Sequence, residues 1–140
     1  MSSNYDLINK LSAFSVRASS TDLSPEQKML ELTAKQKAQI EAIAWNFGDS
    51  RTFLHTAEEY AEAAAALMQY YRAEFSRPHD GLPAVRYNSM CEEIADAFIM
   101  LEELLSLSPE MKETIEEKID YKITRTFERY SIQDPTNGEG

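Results

Sequence analysis

The stretch that decides the fold is residues 51–75, RTFLHTAEEYAEAAAALMQYYRAEF. Apolar side chains recur here at intervals of three and four residues around an alanine-rich run, a pattern that is typical of a long amphipathic helix. We therefore predict a helix from about Ser50 to Phe75 whose apolar stripe is buried. The members of this stripe are Phe53, Leu54, Ala57, Ala61, Ala64, Leu67, Met68 and Tyr71.

Helical patterns continue on both sides of this stretch. Upstream, Ser24 followed by Pro25 resembles a capped helix start, and the helix is expected to run to about Phe47, where Gly48 is a natural stop. Downstream, a third helix is predicted over about 89–107. Its inward residues are expected to be Ile94, Ala97, Phe98, Leu101, Leu104 and Leu105.

A fourth helix is predicted to begin after Ser108, with Pro109 in its first turn, and to end near Tyr130. Its apolar residues stand four apart at Ile115, Ile119, Ile123 and Phe127. Strand patterns are absent, so the predicted fold class is all-α: an antiparallel helical bundle of four main helices with an additional N-terminal helix. We assign residues 1–23 to an N-terminal extension, 24–131 to the bundle domain and 132–140 to a flexible tail.

Composition narrows the class of function. The chain has 140 residues, the size of one domain, and a formal net charge of −10, which disfavours nucleic acid phosphates and anionic membranes as partners. No apolar run approaches membrane-spanning length, and no signal segment opens the chain. Cys91 is the single cysteine, so an internal disulfide is excluded and a cytoplasmic location is expected.

Two acidic pairs lie on consecutive predicted helices. Glu59 and Glu62 are three residues apart in EEYAE, and Glu93 and Asp96 repeat that spacing in EEIAD. Residues three apart share one side of a helix, and each pair borders an apolar stripe. Small neighbours such as Ala61 are expected to let the two helices approach, which would bring four carboxylates together.

Four converging carboxylates repel one another, and this repulsion raises their pKa values or separates the helices. A divalent cation with a preference for oxygen ligands removes that repulsion. Mg²⁺ suits such a site and commonly completes its coordination with water and substrate phosphates, and Mn²⁺ would also suit it.

The two motifs resemble those of the MazG-like nucleoside triphosphate pyrophosphohydrolases, whose signature is Glu-Glu-x-x-Glu on one helix and Glu-x-x-Asp on the next. The stretch EEIADAFIMLEEL, residues 92–104, is especially similar to short, phage-type members. The resemblance covers about residues 45–130. It implies an all-α bundle that assembles as a homo-oligomer, either a dimer or a tetramer.

The resemblance also implies the chemistry. The substrate would be a nucleoside triphosphate, cleaved between its α and β phosphates to the monophosphate and pyrophosphate in nucleotide-pool house-cleaning. Glu59, Glu62, Glu93 and Asp96 match the metal ligands, and Glu59 or Glu62 would accept a proton from the attacking water. Glu58 matches an accessory acidic position. Residues that bind the base are not assigned.

The last predicted helix departs from the family pattern. Many relatives carry an Asn close to a Lys there, whereas this helix, EEKIDYKITRTFER, has no Asn. Its cations Lys118, Lys122, Arg125 and Arg129 step by four, three and four and share one face. Lys118, Lys122 and Arg125 are candidate phosphate ligands, and ion pairing with neighbouring glutamates is the alternative. The missing Asn also motivates a second hypothesis, a catalytically silent nucleotide-binding or assembly module.

The remaining candidates have less specific signals. Glu102 and Glu103 lack an acid three residues on and are expected on the solvent face. His55, one turn before Glu59, is expected to be a surface or packing residue rather than a ligand. Asn88 is expected to cap the third helix. Four aromatic residues are candidates for base stacking or, alternatively, for the core: Trp45, Phe47, Phe53 and Tyr87.

A ferritin-like di-iron bundle is excluded by the sequence. That design requires Glu-x-x-His on two helices. The chain has two histidines, His55 and His79, and neither follows a glutamate by three residues.

Overall fold

The computed structural model describes residues 29–76 and 82–138. These residues form four α-helices and contain no strand, so the predicted all-α helical bundle is confirmed. In chain order the helices are α1, Ala34–Phe47; α2, Asp49–Glu74; α3, Pro83–Leu107; and α4, Pro109–Tyr130, followed by a short 3₁₀ turn, Pro135–Gly138. The additional N-terminal helix was predicted for residues that lie outside the described ranges.

Helix α1 begins later than predicted. Thr33 is its N-cap and forms a capping box: its hydroxyl accepts from the Gln36 amide at 3.1 Å, and its own amide donates to the Gln36 side chain at 2.9 Å. These bonds satisfy two backbone groups that have no partner within the helix. Because Met29–Thr33 is not helical, the predicted start at Ser24 was wrong.

A single residue, Gly48, joins α1 to α2. It ends α1 by donating its amide to the Ala44 carbonyl at 2.9 Å, and its own carbonyl accepts from the Thr52 hydroxyl at 2.8 Å. Its φ is 78° and its ψ is 175°, a combination that glycine adopts readily and L side chains do not. The joint fixes the end of α1 against the first turn of α2.

The antiparallel pair of α2 and α3 forms the centre of the fold. The Thr56 hydroxyl lies 3.3 Å from the Met100 carbonyl, and Arg86 donates to the Gln69 side chain at 2.9 Å. Small residues of α2 face this interface and let the helices approach closely. The buried residues of α2 are Thr52, Thr56, Ala63, Ala66, Tyr70 and Ala73.

The prediction that the apolar stripe of α2 is buried was therefore wrong, because this stripe faces solvent. Leu54 and Met68 are 61% and 53% exposed, and Ala61, predicted to let α3 approach, is also exposed. With 100° of rotation per residue, this stripe lies on the side of α2 opposite Thr52 and Ala66. Helix α2 thus has one face of small residues against α3 and one face of large apolar residues in solvent.

Helix α3 starts at Pro83, before the predicted start at residue 89. Asn88 therefore lies inside the helix instead of capping it, and its side chain donates to Glu92 at 3.1 Å. Tyr87 packs edge-on against Tyr70 with 5.8 Å between the ring centroids. Of the four aromatic residues proposed for stacking or for the core, Tyr87 is the one that packs against the buried cluster of the described residues.

Helix α4 matches its predicted bounds, and Ser108 caps it by accepting from the Met111 amide at 3.3 Å. None of its residues is buried, and among the described helices it approaches only α3. It ends at Ser131 in the left-handed conformation, where the Ile132 amide donates to the Phe127 carbonyl at 3.0 Å. Within the predicted tail, the Asp134 carboxylate accepts from the Thr136 amide at 2.8 Å.

Among the residues that the structure describes, no helix combines the length and apolarity needed to cross a bilayer.

Candidate functional site

A cluster of carboxylates lies where the middle of α2 meets the first half of α3. One oxygen from each of Glu59, Glu93 and Asp96 lies within 4.8 Å of the other two. Glu59 and Glu93 are half-buried, and Asp96 is exposed. The structure thus brings together three of the four carboxylates predicted as metal ligands.

The fourth predicted ligand, Glu62, borders this cluster. Burial raises the pKa of Glu93, and the charge of Glu62 and a hydrogen bond with its carboxyl group raise it further. Glu62 itself is exposed. It therefore lies close to Glu93 and Glu59 but outside the group of three whose oxygens converge.

Glu59 has the same kind of perturbation. Burial is the largest cause that raises the pKa of Glu59. The charges of Glu62 and Asp96 raise this pKa further, whereas the charge of His55 lowers it. The accessory candidate Glu58 is exposed and has the smallest effect on Glu59 of the groups that perturb it. Burial is the largest cause for both Glu59 and Glu93, and neighbouring like charges add to it, as expected where carboxylates converge.

The donor set suits a hard divalent cation. All the candidate ligand atoms are carboxylate oxygens, which Mg²⁺ and Mn²⁺ prefer. Two oxygens bound to one Mg²⁺ ion at about 2.1 Å each are at most about 4.2 Å apart. The three carboxylate oxygens lie within 4.8 Å of one another, so small side-chain rotations would bring them to that distance. The exposure of Asp96 leaves one side open for water or phosphate oxygens.

The candidate phosphate ligands lie elsewhere in the chain. Lys118, Lys122 and Arg125 are exposed on α4, and α4 does not approach α2. Within the described residues none of them forms an ion pair with the cluster, and the one ion pair on α4 joins Lys112 to Glu116 at 3.9 Å. A single chain therefore does not bring the basic stripe of α4 to the carboxylates.

A separate pocket lies between α2 and α3, nearer to Gly48 than the cluster is. Its volume is about 110 Å³. None of the clustered carboxylates lines it, but His55, one turn before Glu59, does. The pocket is lined by Phe47, Arg51, Thr52, His55, Met100 and Glu103.

Glu103 was predicted on the solvent face, and this was wrong. It is 4% exposed, because it lies on the side of α3 that faces the start of α2. Burial raises the pKa of its carboxyl group, and the charge of His55 lowers it. Its neighbour Glu102 is half-buried and lines a different pocket with α1.

The sequence analysis did not predict this pocket, although the spacing of its residues along α2 and α3 indicates that they share one side of each helix. Glu103 follows Asp96 by seven residues, which is two helical turns, so both lie on one side of α3. His55 and Arg51 precede Glu59 by four and eight residues and share its side of α2.

Phe47 is exposed, with the Arg51 guanidinium 4.2 Å from its ring centre. Trp45 and Phe53 are also exposed, so the core alternative was wrong for all three aromatic residues.

Comparisons with protein-family models, with curated proteins and with solved structures found no match to this chain.

Proposed function

We propose that this protein is a magnesium-dependent nucleoside triphosphate pyrophosphohydrolase that cleaves (deoxy)nucleoside triphosphates to monophosphates and pyrophosphate. The observation that carries the proposal is the cluster of Glu59, Glu93 and Asp96, whose oxygens lie within 4.8 Å of one another. These residues occupy the matching positions of both acidic motifs. The biological role would be house-cleaning of the nucleotide pool in the cytoplasm.

In this proposal each carboxylate has a role that follows from its position. Glu59, Glu93 and Asp96 would hold Mg²⁺ or Mn²⁺, with Glu62 beside them as a further ligand. The bound cation would neutralise phosphate charge and make a water molecule more acidic. Glu62 is the better placed of the two candidate bases, because it borders the three clustered carboxylates and is open to solvent. Water would supply one oxygen to the cleaved anhydride, and its proton would pass to Glu62.

We also propose that the active form is a homo-oligomer. Helix α2 buries one face of small residues and leaves a second face of large apolar residues in solvent, and exposed apolar surfaces of this kind commonly mark sites of association. The stripe of Ile119 and Ile123 on α4 is likewise exposed. A second copy would cover both surfaces. The cations of α4 and the carboxylates of another copy have opposite charge, so such an assembly could bring Lys118, Lys122 and Arg125 to the substrate phosphates.

The decisive experiment is a panel of nucleotides assayed for phosphate with and without added pyrophosphatase. We expect phosphate only when pyrophosphatase is present, because the product is pyrophosphate. Glu62→Gln should lower the rate at least about 100-fold, the lower end of what general acid–base catalysis contributes. Asp96→Asn should also lower the rate strongly, because it removes a proposed ligand of the catalytic cation. Glu92→Gln, next to Glu93 but outside the cluster, should retain activity. Retained magnesium-dependent hydrolysis in both site variants would contradict the assignment.

A catalytically silent module is the second candidate. It is favoured by the absence of Asn from the last helix and by the separation of α4 from the cluster. Titration calorimetry with Mg²⁺ and a non-hydrolysable nucleotide separates the candidates. Binding without any turnover would favour a nucleotide-binding module, and no binding at millimolar nucleotide would favour an assembly module.

A further inference from the structure

The pocket between the start of α2 and the second half of α3 is built around a buried acid. Glu103 lines the pocket and is 4% exposed, and its carboxyl group has no hydrogen-bond partner among the described residues. No buried side-chain oxygen or nitrogen of the described residues lacks a hydrogen-bond partner, so the oxygens of the Glu103 carboxyl group are not closed off and can be reached from the pocket. The Glu103 carboxyl group is therefore able to accept a hydrogen bond from a group that enters the pocket.

The other walls of the pocket suit a flat ring. Phe47 and Arg51 stand together at its mouth, with the guanidinium 4.2 Å from the ring centre, and Met100 contributes an apolar side chain. Aromatic faces and guanidinium planes are the surfaces on which nucleobases stack. A volume of about 110 Å³ is suited to one heterocyclic ring system and is too small for a whole nucleotide.

The position of the pocket relative to the carboxylates is also informative. His55 lies one helical turn from Glu59, and Glu103 lies seven residues from Asp96, which is about 10 Å along α3. The pocket is displaced from the cluster towards the start of α2 and towards the end of α3, which is the same direction along the groove because the two helices are antiparallel. That separation leaves room for a ribose between a base in the pocket and phosphates at the cluster.

We propose that this pocket binds the base of the nucleotide and that Glu103 selects cytosine and adenine over uracil and thymine. The inference rests on the proposed function, which places the phosphates at the cluster. A carboxylate accepts a hydrogen bond from the exocyclic amino group of cytosine or adenine, as acidic side chains do from cytosine in DNA. Uracil and thymine present a carbonyl at the equivalent position, and two acceptors cannot pair.

The test uses nucleosides, which have no phosphate and so do not depend on hydrolysis. The full chain is labelled with ¹³C at its methionine methyl groups, and the Met100 signal is assigned with the Met100→Leu variant. Cytidine and uridine, adenosine and thymidine are titrated separately. We expect the Met100 signal to move with cytidine and adenosine at concentrations roughly tenfold lower than with uridine and thymidine, since a well-placed polar contact gives about that discrimination.

Two variants locate the effect. Glu103→Gln should abolish the roughly tenfold preference, because an amide both donates and accepts. Glu102→Gln, its half-buried neighbour outside the pocket, should keep the preference. Equal responses to all four nucleosides in the wild type, or an unchanged preference in Glu103→Gln, would overturn the proposal.

The outcomes also separate this proposal from the proposed function. Pyrophosphate release without any movement of the Met100 signal by nucleosides or by the product monophosphates would overturn the base pocket and leave the hydrolase standing. Selective movement of the Met100 signal in a protein that hydrolyses no nucleotide would support the pocket and refute the hydrolase.

Discussion

The hydroxyl of Thr56 on α2 lies 3.3 Å from the backbone carbonyl of Met100 on α3 and 2.7 Å from the Thr52 carbonyl one turn before it. Thr56 is buried, and it stands three residues before Glu59, while Met100 stands four residues after Asp96. This contact therefore fixes how α2 and α3 align between the carboxylate cluster and the neighbouring pocket.

Removing that hydroxyl should destabilise the fold. Thr56→Val keeps the shape of the side chain but removes the donor, and we expect a loss of about 1 kcal/mol in the free energy of unfolding. Urea unfolding followed by circular dichroism measures it. Thr114→Val is the matched control, because Thr114 makes the same bond to the carbonyl four residues back but is exposed on α4. Equal losses in the two variants would show that the contact with α3 contributes nothing.

The sequence predicts where α2 and α4 begin and end, but it does not predict which face of α2 packs against α3. Spacing and caps predict the bounds of α2 and α4 because these are local properties of the chain. The stripe of Leu54 and Met68 looks like a core face because its side chains are large. The actual interface uses Thr52 and Ala66, whose small size matters only once α3 is present. Burial of Glu103 likewise depends on that pairing of helices.

The carboxylate cluster should make stability depend on pH. The pKa values of Glu59 and Glu93 are raised in the folded chain, so the folded state binds these protons more tightly than the unfolded state does. In metal-free buffer, the free energy of unfolding should therefore fall as the pH rises above the ordinary glutamate pKa of about 4.3 and through the raised values.

The variant Glu93→Gln isolates this effect, because it removes one of the repelling charges. The decrease in stability with rising pH should be smaller in Glu93→Gln than in the wild type, as measured by urea unfolding between pH 4 and 8 in EDTA. Glu92→Gln should follow the wild-type profile. Parallel profiles for the wild type and Glu93→Gln would contradict the raised pKa of Glu93.

Bound Mg²⁺ should neutralise the repulsion among the clustered carboxylates and so stabilise the fold. A ligand that binds only the folded state at 100 times its dissociation constant stabilises that state by about 2.7 kcal/mol. We therefore expect millimolar Mg²⁺ to raise the melting temperature by several degrees, and EDTA to remove the increase. Asp96→Asn should lose the increase and Glu92→Gln should keep it. A magnesium effect of equal size in both variants would show that the ion binds elsewhere.

The outer face of α2 should govern assembly. Each large apolar side chain removed from water contributes about 1.5–3 kcal/mol. The double variant Leu54→Lys, Met68→Lys should therefore raise the dissociation constant of the proposed oligomer at least about 100-fold. Light scattering after size exclusion should give the mass of one chain for this variant and a multiple of it for the wild type. Asn46→Lys, an exposed charge substitution on α1, should leave the mass unchanged. A wild type that runs as one chain at micromolar concentration would refute the oligomer.

The joint at Gly48 should be intolerant of a side chain. Gly48→Ala places an L residue at φ 78° and ψ 175°, and we expect a loss of about 1–3 kcal/mol in the free energy of unfolding. Ser50→Ala, two residues on at an exposed position, should change stability by less than about 0.5 kcal/mol. Thermal and urea unfolding both report the difference. A Gly48→Ala variant as stable as the wild type would show that the joint can adopt another conformation.

The same joint has a consequence for how the protein can evolve. Within residues 29–76 and 82–138, a Cβ atom added to Gly48 would meet nothing within 4 Å, so the restriction that these residues impose comes from the backbone. A substitution there cannot be rescued by a compensating change in a neighbouring side chain, because none of the described residues would touch the added Cβ atom. In any set of descendants of this chain, position 48 should stay glycine whatever the residues around it become.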